Sequence, residues 1–154
     1  MSICMGEKPD LMRINQIITE AAMAWPMGER IKRLSVPVLC YDSEDFKHYQ
    51  FALYKEDNLI VAVAAWNAEV PVVTPRGTGR LLHGLYVAPS CQGNGYGQLL
   101  MAHVAAEAKV VGANGLLVKA ERPAIKFFEH CGLQPLPANG PTDYPYQFWY
   151  QLDG

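Results

Sequence analysis

An α/β fold, a mixed sheet with helices on both faces, is what the sequence predicts, and three observations carry that prediction. Residues 10–25 place apolar side chains at helical spacing and are followed by two β-rich runs joined by a polar turn. A strand-like run then enters the glycine-rich stretch Gln92-Gly93-Asn94-Gly95-Tyr96-Gly97, which opens a helix-forming segment. A short apolar strand, a compact helix and an aromatic strand close the chain.

The first helix is set by Leu11, Ile14, Ile17, Ile18, Ala21, Ala22 and Trp25, the i, i+3/i+4 stripe of an amphipathic helix, with Pro9 and Asp10 as start signals and Pro26 and Gly28 as stops. A shorter helix is predicted over 28–35, ending before Pro37, and the acidic stretch Asp42 to Asp45 reads as a solvated turn. The period then changes. Tyr49 to Tyr54 and Leu59 to Trp66 read as an antiparallel hairpin about the polar turn Lys55-Glu56-Asp57-Asn58. Pro71, Pro75, Gly77 and Gly79 punctuate 67–79 as a loop that leads into a strand over Arg80 to Val87, closed by Pro89. Residues 97–111 form a helix with Leu99, Leu100, His103, Val104 and Val111 turned to one side, stopped by Gly112. Leu116-Leu117-Val118 is a buried strand, Arg122 to His130 a helix ended by Cys131-Gly132, and Tyr146 to Leu152 the last strand. The β-α-β part around the glycine turn is expected to be parallel by right-handed crossover. No repeat or long linker divides the 154 residues, so they read as one domain.

Composition narrows the partners. An apolar fraction of 50%, a charged fraction of 18% and a net charge of −2 are those of a globular chain without a field that collects nucleic acid or anionic membrane. Cys4, Cys40, Cys91 and Cys131 form no C-x-x-C pair, so no metal site is predicted and the thiols read as reduced and mostly buried. The first ten residues lack the features of a signal peptide, and no apolar run approaches the ~20 residues of a spanning helix. A cytoplasmic location is the expectation. The aromatic strand 146–152, if at a sheet edge, would suit a homodimer.

A strand running into a glycine turn and then a helix aims several backbone N–H groups at one point, where the helix dipole favours phosphate. Gly93, Gly95 and Gly97 remove Cβ atoms from that approach and tolerate positive φ. The turn has no Gly-Lys-Ser/Thr ending, so it is not a Walker loop, and its G-x-G-x-G spacing after two helices and a hairpin is not that of a dinucleotide fold.

Taken together, Leu85-Tyr86-Val87-Ala88-Pro89, then Gln92-x-x-Gly95-x-Gly97, then Ala124-Ile125-Lys126-Phe127-Phe128-Glu129-His130-Cys131-Gly132-Leu133 resemble the GNAT superfamily of acyl-CoA-dependent N-acyltransferases. The likeness in element order covers nearly the whole chain: N-terminal helices, a hairpin, then β-α-β-α-β around a CoA-binding turn. It implies acetyl-CoA as co-substrate, with the backbone of Leu85, Tyr86 and Val87 beside the pantetheine arm and the amides of Gln92, Gly93, Asn94, Gly95, Tyr96, Gly97 and Gln98 around the pyrophosphate. It also implies a small-molecule or peptide amine as acceptor, acetylated by direct attack in a ternary complex. Two positions depart from the family pattern: Phe128 stands where a tyrosine acid is common, and Glu121 where an asparagine is common. A catalytically inactive acyl-CoA-binding regulatory module is therefore the rival reading, and a nucleotide-binding domain of another fold a third.

For the proton chemistry, His83 lies four residues before Val87, and strict alternation puts it on the face of Leu85 and Val87, where a near-neutral imidazole suits a general base. The arylalkylamine branch of the family is similar in carrying histidine at the matching strand position. Tyr144 and Tyr146 are the other hydroxyl-bearing candidates; His103, His130, Cys91 and the tryptophans read as structural or solvated. The acceptor groove is expected between the N-terminal helices, the 67–79 loop and the last strand, with Glu69 or Asp143 available to attract a cationic amine.

Overall fold

The computed structural model describes residues 2–138 and 146–152. In chain order the elements are β1 (Ser2–Met5), α1 (Leu11–Met23), α2 (Glu29–Leu39), β2 (Gln50–Glu56), β3 (Leu59–Trp66), β4 (Val72–Thr74), β5 (Gly77–Val87), α3 (Tyr96–Val110), β6 (Gly115–Lys119), α4 (Ile125–His130), β7 (Gln134–Leu136) and β8 (Gln147–Gln151). The eight strands make one sheet in the order β1-β2-β3-β5-β6-β8-β7, with β4 paired to the start of β5. Only β5 and β6 run parallel.

The sheet separates two cores. On one face α1 buries Ile14, Ile17 and Ile18 against Phe51, Leu53, Val63 and Ala65. On the other, α3 buries Leu100, Met101, Val104, Ala105 and Ala108 against Ala62, Ala64, Trp66, Leu82, Leu116 and Val118, with Phe128 of α4 in the same cluster. The inward stripe of α3 is therefore narrower than its apolar residues suggest, because Leu99 and Val111 face solvent.

Several elements differ from expectation. The second helix continues through Pro37 to Leu39; it gives up the proline N–H bond only in its last turn, where Cys40 N–H still reaches Val36 O at 3.1 Å. Its one buried residue is Lys32, whose Nζ donates to Met23 O at 2.8 Å and thereby holds α2 to the end of α1. The acidic stretch becomes a 3₁₀ turn, Ser43–Lys47, because Asp42 Oδ1 accepts the N–H groups of Glu44 and Asp45. The hairpin turn is tighter than Lys55–Asn58: only Asp57 and Asn58, at φ 52° and 64°, lie outside β2 and β3. The 67–79 segment is partly ordered as the β4–β5 hairpin. The strand β8 lies between β6 and β7, so it is not an edge, and the homodimer expected from an aromatic edge loses that ground. All four cysteines are free thiols, half-buried rather than buried.

Two irregularities in β5 position the site. First, β5 pairs with β6 only through Arg80–Leu116, Leu81–Leu117 and Leu82–Val118, while on its other side it stays paired to β3 as far as Val87. The strands diverge beyond Leu82. Arg80 closes the base of this fork, its guanidinium donating to Ala68 O at 3.0 Å, Gly79 O at 3.2 Å and Val111 O at 3.3 Å. Second, Ala65 pairs with Gly84 but Trp66 with Leu82, so His83 is the extra residue of a β-bulge.

Candidate active site

A cavity of about 930 Å³ fills the fork between β5 and β6. It reaches both faces of the sheet: Gly97, Phe127 and Phe128 line it on the α3/α4 side, Ala21, Trp25, Val38 and Leu39 on the α1/α2 side.

The diverging edge of β5 forms one wall. Ala88 N–H bonds Val61 O of β3 at 2.8 Å. By the alternation of an antiparallel ladder, Tyr86 directs its backbone groups to β3, while Leu85 and Val87 direct theirs into the fork. An extended amide-bearing ligand finds an open ladder there. Gln92 Nε2 already donates to Val87 O at 3.2 Å, which ties the wall to the turn that follows.

The turn itself divides the labour among its glycines. Gly93 and Gly95 have φ of 87° and 79°, where L side chains are strained, and a Cβ at either would meet open space. At Gly97 the reason is contact: a Cβ there would lie 2.9 Å from Phe127 Cζ. The first intrahelical bond of α3 is Leu99 N–H to Gly95 O at 3.1 Å, so the amides of Tyr96, Gly97 and Gln98 precede the helical ladder, where a helix N-terminus favours an anion. Tyr96 anchors the turn to the hairpin, its ring stacked on Tyr54 at 4.3 Å and its hydroxyl bonded to Glu56. These amides and the Leu85–Val87 edge fit the pyrophosphate and the pantetheine amides of a CoA-type ligand.

Of the residues singled out by sequence, Leu85, Tyr86, Val87, Gln92, Gly93, Gly95, Tyr96, Gly97, Gln98 and His83 all line the cavity. Asn94 is not among the lining residues; its side chain donates to Cys91 O at 3.1 Å. Tyr146 is exposed and does not line the cavity, and Tyr144 and Asp143 lie outside the described residues. No described residue of 67–79 or of β8 lines the cavity, whereas Ala21, Trp25, Val38 and Leu39 of the N-terminal helical region do. The β4–β5 hairpin instead packs Val72 by Leu117, Leu136 and Trp149.

The face of His83 also needs correction. The bulge breaks the alternation, so His83 leaves the side of Leu85 and Val87 and joins the aromatic group on the α1 side. Its Nδ1 lies 2.7 Å from Tyr41 Oη, and its ring packs on Tyr49 with centroids 4.5 Å apart. Burial pulls the imidazole below its ordinary value and Asp45 partly offsets this, which keeps the ring neutral at pH 7. Burial, then Tyr86, Tyr49 and Asp45, push the Tyr41 phenol far upward, so it remains a hydroxyl. Phe128, 5% exposed, packs on Phe148 and supplies no proton, and Glu121 lines the cavity as the residue before the 3₁₀ turn Arg122–Ala124.

Sequence reasoning missed Tyr41, a lone tyrosine without motif, and the cavity positions of Lys119 and His130. His130 was legible as helical but read as solvated. Among the described residues no group of three or more His, Cys, Asp or Glu side chains is placed to hold a metal ion.

A glycine turn at a helix N-terminus, beside a forked parallel strand pair, is an arrangement that favours an anionic, amide-bearing ligand. The family model "Acetyltransferase (GNAT) family" matches residues 14–133, and the chain belongs to that family. No curated protein sequence matches it. Among solved structures it is similar to the PaiA N-acetyltransferase of Thermoplasma acidophilum in complex with coenzyme A, at 14% identity and a TM-score of 0.74 over 98% of this chain and 99% of that one. It is also similar to a GNAT family acetyltransferase from Brucella melitensis in complex with acetyl-CoA (22% identity, TM-score 0.60, 97% and 94% covered). The ribosomal-protein-S18-alanine N-acetyltransferase of Escherichia coli shares the fold at 17% identity and a TM-score of 0.63, with 99% and 94% covered.

Proposed function

We propose that this protein is an N-acetyltransferase that passes the acetyl group of acetyl-CoA to a primary amine by direct attack in a ternary complex. The observation that carries this reading is the fork: the outward-facing Leu85 and Val87 backbone stands next to the amides of 93–98, in a cavity open to both faces of the sheet. Acetyl-CoA would be held on the α3/α4 side by those groups, supplying the activated acyl carbon. The amine would enter from the side of Trp25, Val38 and Leu39.

On the protein's side the chemistry is modest. An amine must attack as a free base, and we assign the acceptance of its proton to His83, a reading supported by its place in the cavity lining and the lowering of its imidazole by burial. Phe128 offers no acid, so the departing thiolate takes its proton from solvent. The acceptor class is a small-molecule or peptide amine, and the four free thiols suit a cytoplasmic setting.

The test is release of CoA thiol across a panel of small amines, polyamines and peptides. Turnover with at least one class supports the enzyme. CoA binding by calorimetry without thiol release from any of them would support the rival, an acyl-CoA-binding regulatory module, which Phe128 and Glu121 favour by their lack of the usual proton donor and amide.

A further inference from the structure

Tyr41 lies outside every motif of the chain, yet it makes the one side-chain hydrogen bond of His83 among the described residues. The phenol is firmly placed. Its ring is 6% exposed and meets Phe51 edge-on at 5.0 Å and 88°. Its backbone is clipped to α1 twice: Asn15 Nδ2 donates to Tyr41 O at 2.8 Å, and Tyr41 N–H donates to Asn15 Oδ1 at 2.9 Å. Because His83 is the unpaired residue of the bulge, ladder pairing does not dictate where its side chain goes; Tyr41 and Tyr49 do.

We propose that Tyr41 is a positioning residue for the acetyl transfer: its hydroxyl oxygen accepts the Nδ1–H of His83, which leaves the lone pair on Nε2 and presents that nitrogen to the cavity. The inference rests on His83 as the proton acceptor. A carboxylate in the place of Tyr41 would fix the same tautomer but raise the imidazole by its charge; a hydroxyl that burial keeps protonated orients the ring without doing so. Among the described residues Tyr41 and Tyr49 pack on the ring, and Asp45 is the charged group that acts on it, against the lowering by burial.

The proton balance is simple. As the amine nitrogen bonds to the thioester carbon, one N–H proton passes to Nε2, the C–S bond breaks, and the sulfur leaves with the bonding pair and is protonated by solvent. The imidazolium keeps Nδ1–H on Tyr41 and returns the Nε2 proton to water.

Two measurements test this. Tyr41→Phe keeps the ring and removes the acceptor, and kcat is expected to fall roughly ten- to a hundred-fold with the KM for acetyl-CoA within about twofold. Nitrogen-15 NMR of the wild-type protein labelled at histidine is expected to show His83 as the Nδ1–H tautomer, shifting toward Nε2–H in Tyr41→Phe. A wild-type Nε2–H tautomer would overturn the proposal even if the variant failed to fold. So would unchanged kcat in Tyr41→Phe alongside an impaired His83→Gln. If His83→Gln itself turned over normally, the base would be lost and the reading beneath the proposal with it, a result distinct from the first two.

Discussion

His83 owes its environment to one inserted residue in β5. A ladder without the bulge would keep the imidazole with Leu85 and Val87; the insertion carries it to Tyr41 and Tyr49 while leaving it at the cavity. The residue was legible as a candidate because strict alternation puts it on the face of Leu85 and Val87 and a near-neutral imidazole suits a base, but its facing was not, since alternation assumes an unbroken register. We expect His83→Gln to lower kcat about a hundred-fold or more, in the range of a lost general base, read from initial rates at saturating acetyl-CoA. The pH dependence follows from the direction of the shift. With the folded imidazole of the free protein below its ordinary 6.5, the acid limb of kcat/KM should fall below that value. Stability has the same sign: as pH drops through the unfolded value the unfolded chain binds the proton first, so stability is intact above it and lost below it. Urea unfolding between about pH 7 and pH 5 should weaken the wild type more than His83→Gln, and parallel curves would count against the lowered, neutral ring.

At the scale of elements, the turn into α3 was readable because three glycines in five residues have few other uses, although only the structure separates their roles. Gly95→Ala forces a side chain into left-handed backbone and should cost roughly 1–2 kcal/mol while loosening CoA binding. Gly97→Ala acts by another route, driving Phe127 and with it α4 away from the turn, for about 1–3 kcal/mol. Thermal melts with and without CoA separate them: Gly97→Ala should also disturb the Phe127–Phe128 contact, visible as altered near-UV dichroism. The helices α1 and α3 were legible because their buried positions recur over several turns, and β2 and β3 because they are long, nearly continuous apolar runs buried on both faces. The short strands β1, β4 and β7 were not. Each has only three or four residues and gains its strand character from the neighbour it pairs with, and β4 and β7 sit among prolines that read as loop. The second helix hid its true length behind Pro37 and its anchor behind a lysine, because a buried Nζ bonded to a carbonyl inverts the usual apolar signal.

The whole molecule is a sheet in two parts, an antiparallel flank from β1 to β5 and a second flank of β6, β8 and β7, joined along three residue pairs. The cavity takes its position from that junction, and the family resemblance read from the sequence already implied the order of the parts, though not how narrow the join is. A bound ligand with amides of its own would add rungs where the strands part, so CoA should raise the melting temperature in step with its concentration over Kd. The short join has a mechanical meaning as well. Besides α3, which packs on both flanks, it is what ties them together, and an acyl carrier bound in the fork would act as a strut across its open end. Amide hydrogen exchange should then slow not only at 85–98 but also in Leu116–Val118 and Phe148–Tyr150, which the strut would couple to the larger flank; slowing confined to 85–98 would mean that the three rungs and Arg80 already hold the halves rigid.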